Sequence, residues 1–139
     1  MRHGVLAAAL VTLTACGGSA EEILEPVREA DAIPLQIAHQ GVCNARTLAE
    51  AGDLWGAANE FATKTHAFLH EFADRLSATD RAAAARLLEA KEAVEAQLNS
   101  PDSADPALTM GALSGLQAAL ADAAEVEGFP RPACEGERR

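Results

Sequence analysis

The stretch LWGAANEFATKTHAFLHEFADRLS, residues 54–77, decides the fold of this chain. It contains every aromatic residue of the sequence except Phe129. Side chains recurring every three or four residues form one mainly apolar stripe, and charged residues fall on the opposite side. Such a stripe predicts a single amphipathic helix over residues 54–77 whose apolar side faces the core. The stripe consists of Trp55, Ala58, Phe61, Ala62, Thr65, Phe68, Leu69, Phe72 and Leu76.

The segments on either side have the same period and are separated by short breaks. Upstream, Pro34 suits a first helical position, and Gly52-Asp53 indicates the end of that helix and a cap for the next one. Downstream, a helix is predicted to start near Ser77 or Thr79 and to stop around residues 99–101.

Asp105-Pro106 predicts the start of the last helix, because a capping residue is followed there by a first-turn proline. That helix ends near Gly128, and the remaining residues form a C-terminal tail. No run of alternating β-branched residues indicates a strand. The sequence therefore predicts an all-α domain over residues 34–139, built as a small antiparallel bundle of three to four helices.

The N-terminus has the features of an export signal. Met1-Arg2-His3 is followed by an apolar run over residues 5–13, which is broken only by Thr12. A bilayer span needs about 20 apolar residues, so this run has the length of a signal-peptide core instead. The next residues, Leu13-Thr14-Ala15-Cys16, resemble the lipobox of bacterial lipoproteins, in which an aliphatic and two small residues precede a cysteine. The alternatives are an ordinary secretory signal with a chance cysteine and a buried N-terminal helix.

The lipoprotein resemblance implies how the chain is processed and where it resides. Residues 1–15 are removed as the signal peptide, and diacylglycerol is attached to the sulfur of Cys16. Two or three acyl chains anchor a protein durably in a lipid bilayer. Residues 16–33 then form a flexible acidic tether, and the domain faces the periplasm or the exterior. Because Gly17, and not Asp, follows Cys16, an outer-membrane location is favoured in a host with two membranes.

The net charge restricts the class of partner. Arg2 is the one basic residue of the signal, which has no acidic residue, so the mature chain has ten basic and 21 acidic residues and a formal charge of −11. A chain of that charge repels the phosphates of nucleic acids and the headgroups of anionic lipids. Nucleic acid is therefore not expected as a partner.

With Cys16 lipidated, Cys43 and Cys134 are the remaining cysteines. The export signal places them in an oxidising compartment, where two thiols most simply pair with each other. The sequence therefore predicts a Cys43–Cys134 disulfide that pins the C-terminal tail to the first helix. A metal-ligand pair and an intermolecular bridge are the competing interpretations.

His66 and His70 form the main candidate site in the sequence. Four residues apart on a helix, they project from the same side and can bind one transition metal, or a haem, through two imidazoles. A third ligand has to come from His39, Asp74 or a carboxylate of another helix. The competing interpretation is that these are two boundary histidines bonded to backbone or carboxylate. Covalent c-type haem is excluded, because no Cys-x-x-Cys-His motif is present.

No catalytic constellation appears in the sequence. Glu92 and Glu95 are predicted to lie with Lys91 on a solvated charged face. The favoured hypothesis is a membrane-tethered, non-enzymatic helical module of the cell envelope that binds an envelope protein or ligand. The alternative is a metal- or haem-binding protein that uses His66 and His70.

Overall fold

The computed structural model describes residues 20–135, with side chains from residue 32 onward. All regular elements in this range are helical, which confirms the predicted all-α fold. The predicted signal peptide and Cys16 lie outside the described residues. The elements are α1 (Ala20–Glu50), α2 (Leu54–Lys64), α3 (His66–Thr79), α4 (Arg81–Leu98), a 3₁₀ turn (Pro101–Ser103) and α5 (Pro106–Val126).

Aspartates cap three of the helices. Asp53 accepts a hydrogen bond from the backbone N–H of Gly56, and Asp105 accepts from two N–H groups in the first turn of α5. Both caps lie where the sequence predicted them. Asp80 caps α4, whereas the sequence placed that cap at Ser77 or Thr79. The difference arises because α3 continues through Thr79 before the backbone becomes extended at Asp80.

Each helix packs against the next one in sequence, and α5 packs back against α1, so the helices form a closed ring. Helix α1 packs against α2 and α5, and α4 packs against α3 and α5. The connections between α1 and α2, between α3 and α4, and between α4 and α5 are short, so the helices of each of these pairs run antiparallel. Because α2 and α3 together occupy one side of the ring, the architecture is that of a four-helix bundle. None of the described helices combines the length and apolar character of a membrane span.

Helix α1 starts earlier than the sequence indicated. The sequence placed the first helical residue at Pro34 and a tether over residues 16–33, but the structure is helical from Ala20 onward. Residues 20–33 contain three Ala, four Glu, one Leu and one Arg, which have high helix propensities. The two prolines in α1, Pro26 and Pro34, each lack an N–H donor and remove one backbone hydrogen bond.

The helix predicted over residues 54–77 is divided at Thr65. This residue has φ −118° and ψ −45°, and its N–H still donates to the carbonyl of Phe61. The hydroxyl of Thr65 donates to the backbone carbonyl of Ala38 in α1, at 3.0 Å, in a buried setting. The break therefore brings the α2–α3 junction into direct contact with α1.

Gly41 makes this contact feasible. A Cβ atom at this position would lie 2.5 Å from Oγ1 of Thr65 and 2.7 Å from Cβ of Lys64. Such distances are shorter than van der Waals contact, so only a glycine lets α1 approach this closely.

Gly41→Ala should lower the free energy of unfolding by about 1–2 kcal/mol, because overpacking outweighs the gain in helix propensity. Gly111→Ala is the matched control, since a Cβ there meets nothing within 4 Å. That variant should gain up to about 1 kcal/mol. Urea denaturation followed by circular dichroism measures both values. A Gly41→Ala protein as stable as Gly111→Ala would show that the close approach is unimportant.

The stripe identified in the sequence contributes four large side chains to the core, which α1, α4 and α5 complete. Phe61, Leu69, Phe72 and Leu76 are buried, but Trp55 is 63% exposed. The expectation that Trp55 lies in the core was therefore wrong. Ala57, which the stripe did not include, is fully buried. The start of α2 is thus rotated so that Ala57 faces the bundle and the indole faces solvent.

The predicted disulfide is present. It joins Cys43 in α1 to Cys134 in the C-terminal tail, with the two Cα atoms 5.7 Å apart and a sequence separation of 91. The tail reaches α1 after Gly128, whose φ of 80° ends α5. A backbone in that left-handed conformation favours glycine.

Candidate functional site

His66 begins α3, and His70 follows one turn later on the same side. Their ring centroids lie 5.0 Å apart in an edge-to-face arrangement. His66 is half-buried and His70 is exposed. The two imidazoles are therefore neighbours at the surface, as the sequence predicted from their spacing.

Glu95 in α4 reaches His66. Its Oε1 atom lies 2.8 Å from Nε2 of His66 and 2.8 Å from Nζ of Lys91. The sequence left three candidates for a third metal ligand: His39, Asp74 and a carboxylate of another helix. The structure places the last of these, Glu95, in contact with His66. Lys91 is only 4% exposed, so this ion pair fixes a nearly buried ammonium between α4 and α3.

The charged network lowers the pKa of Glu95. Burial alone would raise this pKa, but the ammonium of Lys91 and the imidazole of His66 outweigh burial, so the pKa lies below its ordinary value of 4.5. A carboxylate whose pKa is lower in the folded state stabilises the protein above its unfolded-state pKa. That stabilisation is lost as the pH falls through the folded-state pKa.

Glu95→Gln should therefore cost about 1–2 kcal/mol of unfolding free energy at pH 7, where charge-assisted hydrogen bonds are lost. The difference from the wild type should shrink towards zero as the pH falls well below 4.5. Glu92→Gln, on the exposed side of α4, is the control and should stay within about 0.5 kcal/mol of the wild type. A cost for Glu95→Gln that does not change with pH would contradict the network.

The role of Lys91 was not predicted from the sequence. The charge pattern placed Lys91 with Glu92 and Glu95 on a solvated face, but Lys91 is buried and Glu95 is half-buried. A signal was present, since Leu87, Lys91, Val94 and Leu98 follow one helical stripe. Lys91 occupies a core-facing position of that stripe. Its charged neighbours Glu92 and Glu95 led to its assignment to the solvated face.

A surface groove connects these groups to Trp55. We define the Trp55 groove by its lining residues, which enclose a cavity volume of about 360 Å³. The indole Nε1 donates to Oδ1 of Asp102 at 2.9 Å, which fixes the ring beside the 3₁₀ turn. The lining residues are Trp55, Ala58, Phe61, Ala62, His66, Glu95, Leu98, Asn99 and Pro101.

The second cluster lies at the disulfide. Nδ1 of His39 is 3.6 Å from Sγ of Cys43, one helical turn away on α1. Nε2 of Gln117 in α5 donates to Sγ of Cys134 at 3.2 Å, and Nη1 of Arg46 donates to Oε1 of Gln117 at 2.6 Å. His39 is 1% exposed and is held at the disulfide. It is therefore placed in a different cluster from His66.

The two clusters differ in how their metal-ligating atoms are arranged. Within residues 32–135, His39, Cys43 and Cys134 form the one group of three whose ligand atoms all lie within 4.8 Å of one another. Among the same described residues, His66 and His70 belong to no such group. His66 instead has Glu95 as its carboxylate partner, and Glu95 is shared with Lys91.

The fold and these clusters define a disulfide-linked, all-α bundle with an aromatic-rimmed groove. Comparison with protein-family models, with curated proteins and with solved structures found no match to this chain.

Proposed function

We propose that this protein is a lipid-anchored lipoprotein of the bacterial cell envelope that acts by binding a protein partner in the Trp55 groove. The observation that carries this proposal is the indole of Trp55, which is 63% exposed at the rim of an apolar groove. Exposed tryptophans are uncommon on monomers and are enriched among the residues that dominate binding energy. The hydrogen bond to Asp102 holds the ring in one orientation, which reduces the entropy lost on binding.

The groove favours a partner segment with an apolar side chain beside basic residues. Its lining includes Ala58, Phe61 and Leu98, of which Phe61 and Leu98 are buried. Asp102, which accepts a hydrogen bond from the indole of Trp55, places a carboxylate beside the groove, and the mature chain carries a formal charge of −11. An apolar lining with an acidic surround is complementary to a cationic, partly apolar segment.

Lipidation supports the same function, because a domain held at a membrane meets partners there at a raised effective concentration. Cys16→Ser removes the acceptor sulfur of the lipobox. In a bacterial host that processes lipoproteins, the wild type should fractionate with membranes and the variant should not. A Cys16→Ser protein that stays in the membrane fraction would rule out the anchor.

The groove is tested with the fluorescence of Trp55, which is the single tryptophan of the chain. The probes are two sets of short peptides with one aromatic residue, flanked either by lysines or by glutamates. The lysine set should shift the emission to shorter wavelength and give saturable binding. Equal responses to both sets, or to neither, would contradict the proposal.

Two matched variants are compared with the wild type by calorimetric titration with the same peptides. Trp55→Ala should abolish binding of the lysine set. Leu108→Ala, which removes an equally exposed apolar side chain on α5, should leave it unchanged. Loss of binding in both variants would show that the peptides adhere to apolar surface in general.

Metal or haem binding at His66 and His70 is the second candidate function. It is favoured by the position of Glu95, a carboxylate from another helix 2.8 Å from Nε2 of His66. The test is a metal and haem titration of the oxidised protein beside a His66→Ala/His70→Ala variant. Stoichiometric binding that the variant loses would support this function. No binding by the wild type would overturn it.

A further inference from the structure

His39, Cys43 and Cys134 bring three soft or borderline ligand atoms together in the interior. His39 and Cys43 share one face of α1, and the tail delivers Cys134 to them. All three residues are buried, and their ligand atoms lie within 4.8 Å of one another. Zinc binds thiolates at about 2.3 Å and imidazole at about 2.0 Å. Reduction of the Cys43–Cys134 bond must therefore let the two sulfurs move apart before one ion can be centred between them and the imidazole of His39.

We propose that the dithiol form of this protein binds one divalent cation of the zinc type through Nδ1 of His39 and the two thiolates, and that formation of the disulfide excludes the cation. Thiolates and neutral imidazole are the ligands that zinc prefers, whereas disulfide sulfurs are poor ligands. Three protein ligands leave a fourth position for water, as in open zinc sites.

The groups around Cys134 fit a metal-bound thiolate. The amide of Gln117 donates to Sγ of Cys134, and Arg46 orients that amide through its carbonyl oxygen. Donors that point at a sulfur stabilise its anionic form and orient it as a ligand. Because Gln117 is itself held by Arg46, the donor is already in place before any ion binds.

An adjoining cavity offers an entry path and room for water. It has a volume of about 400 Å³, and its lining includes His39, Arg46 and Gln117. The ligand histidine is therefore reachable from this cavity even though its side chain is almost fully buried.

The two states are linked by a balanced redox step. A dithiol reductant transfers two electrons and two protons to the Cys43–Cys134 bond and itself closes to a disulfide. The S–S bond breaks and each cysteine becomes a thiol. Binding of the cation then releases one proton from each thiol to solvent, while His39 binds in its neutral form. Oxidation to the disulfide reverses both steps and expels the cation.

The test uses the chain with Cys16→Ser, so that Cys43 and Cys134 are its only thiols. The reduced and the oxidised forms are each titrated with Zn²⁺ and with Co²⁺ under anaerobic conditions. The reduced form should bind one ion per chain, and bound Co²⁺ should show thiolate charge-transfer and tetrahedral visible bands. The oxidised form should show neither band. Equal binding by the two forms would overturn the proposal.

His39→Gln separates this site from adventitious binding by two thiols. Loss of a direct ligand should weaken Zn²⁺ binding by about tenfold or more, since even second-shell changes cost that much. Zn²⁺ should also raise the thermal midpoint of the reduced wild type more than that of the variant. If the reduced chain unfolds and its thiols bind Zn²⁺ without His39, affinity and midpoint will be the same in both proteins, and the proposal fails.

Discussion

Replacing both Cys43 and Cys134 by serine should lower the free energy of unfolding by about 4–5 kcal/mol, the largest effect expected of any change considered for this domain. The disulfide closes a loop with a sequence separation of 91, so it removes much chain entropy from the unfolded state. In the folded state it holds the tail against α1. Guanidinium denaturation of the oxidised wild type and of the double variant measures the difference.

Cys16→Ser is the control for this experiment, because it removes a cysteine that lies outside the loop. It should leave the free energy of unfolding of the oxidised protein unchanged. Reduced wild type should behave as the double variant does when metal is absent. A loss below about 1 kcal/mol in the double variant would mean that the unfolded chain is already restricted by other contacts.

Phe72→Ala should cost about 3–5 kcal/mol, because it leaves a cavity in the centre of the bundle. Phe72 is 1% exposed, and its ring stacks on Phe68 at a centroid distance of 5.2 Å. The surrounding helices are tied together by the tail and the Thr65 contact, which limits how far they can collapse into the space. Thermal and urea unfolding followed by circular dichroism give the value.

Trp55→Ala is the matched comparison, since the sequence placed both aromatic residues on one stripe. The structure leaves Trp55 63% exposed, so its removal should cost no more than about 1 kcal/mol. If both variants lose a similar amount of unfolding free energy, Trp55 is buried in the core, and the main support for binding at the Trp55 groove is removed.

Local chemistry made much of the fold predictable. Asp53 and Asp105 mark helix starts because their side chains accept hydrogen bonds from N–H groups within the next three residues. Gly52 marks a turn because its φ of 84° favours glycine. The Cys43–Cys134 pairing followed from counting cysteines in a chain that the sequence predicts to be exported. The caps and the turn depend on residues that are neighbours in sequence. The disulfide depends on there being one way to pair two cysteines.

The features that were missed depend on contacts between distant parts of the chain. The break at Thr65 is associated with a hydrogen bond to Ala38, 27 residues away, and the stripe itself continues across the break. The exposure of Trp55 reflects the rotation of α2 that buries Ala57. Glu95 was assigned to solvent because its partner His66 lies on another helix. Periodicity finds the face of a helix but not which side chain at its edge meets a neighbour.

The disulfide also determines how the protein would carry a mechanical load. A force applied between the start of α1 and the C-terminal tail passes along α1 to Cys43 and leaves the bundle at Cys134. Since the covalent bridge connects those two points directly, the intervening helices α2 to α5 are bypassed. The residues of α1 before Cys43, which include the buried Leu35, Ala38 and Val42, would carry the load, whereas the residues that line the Trp55 groove all lie within the bypassed segment.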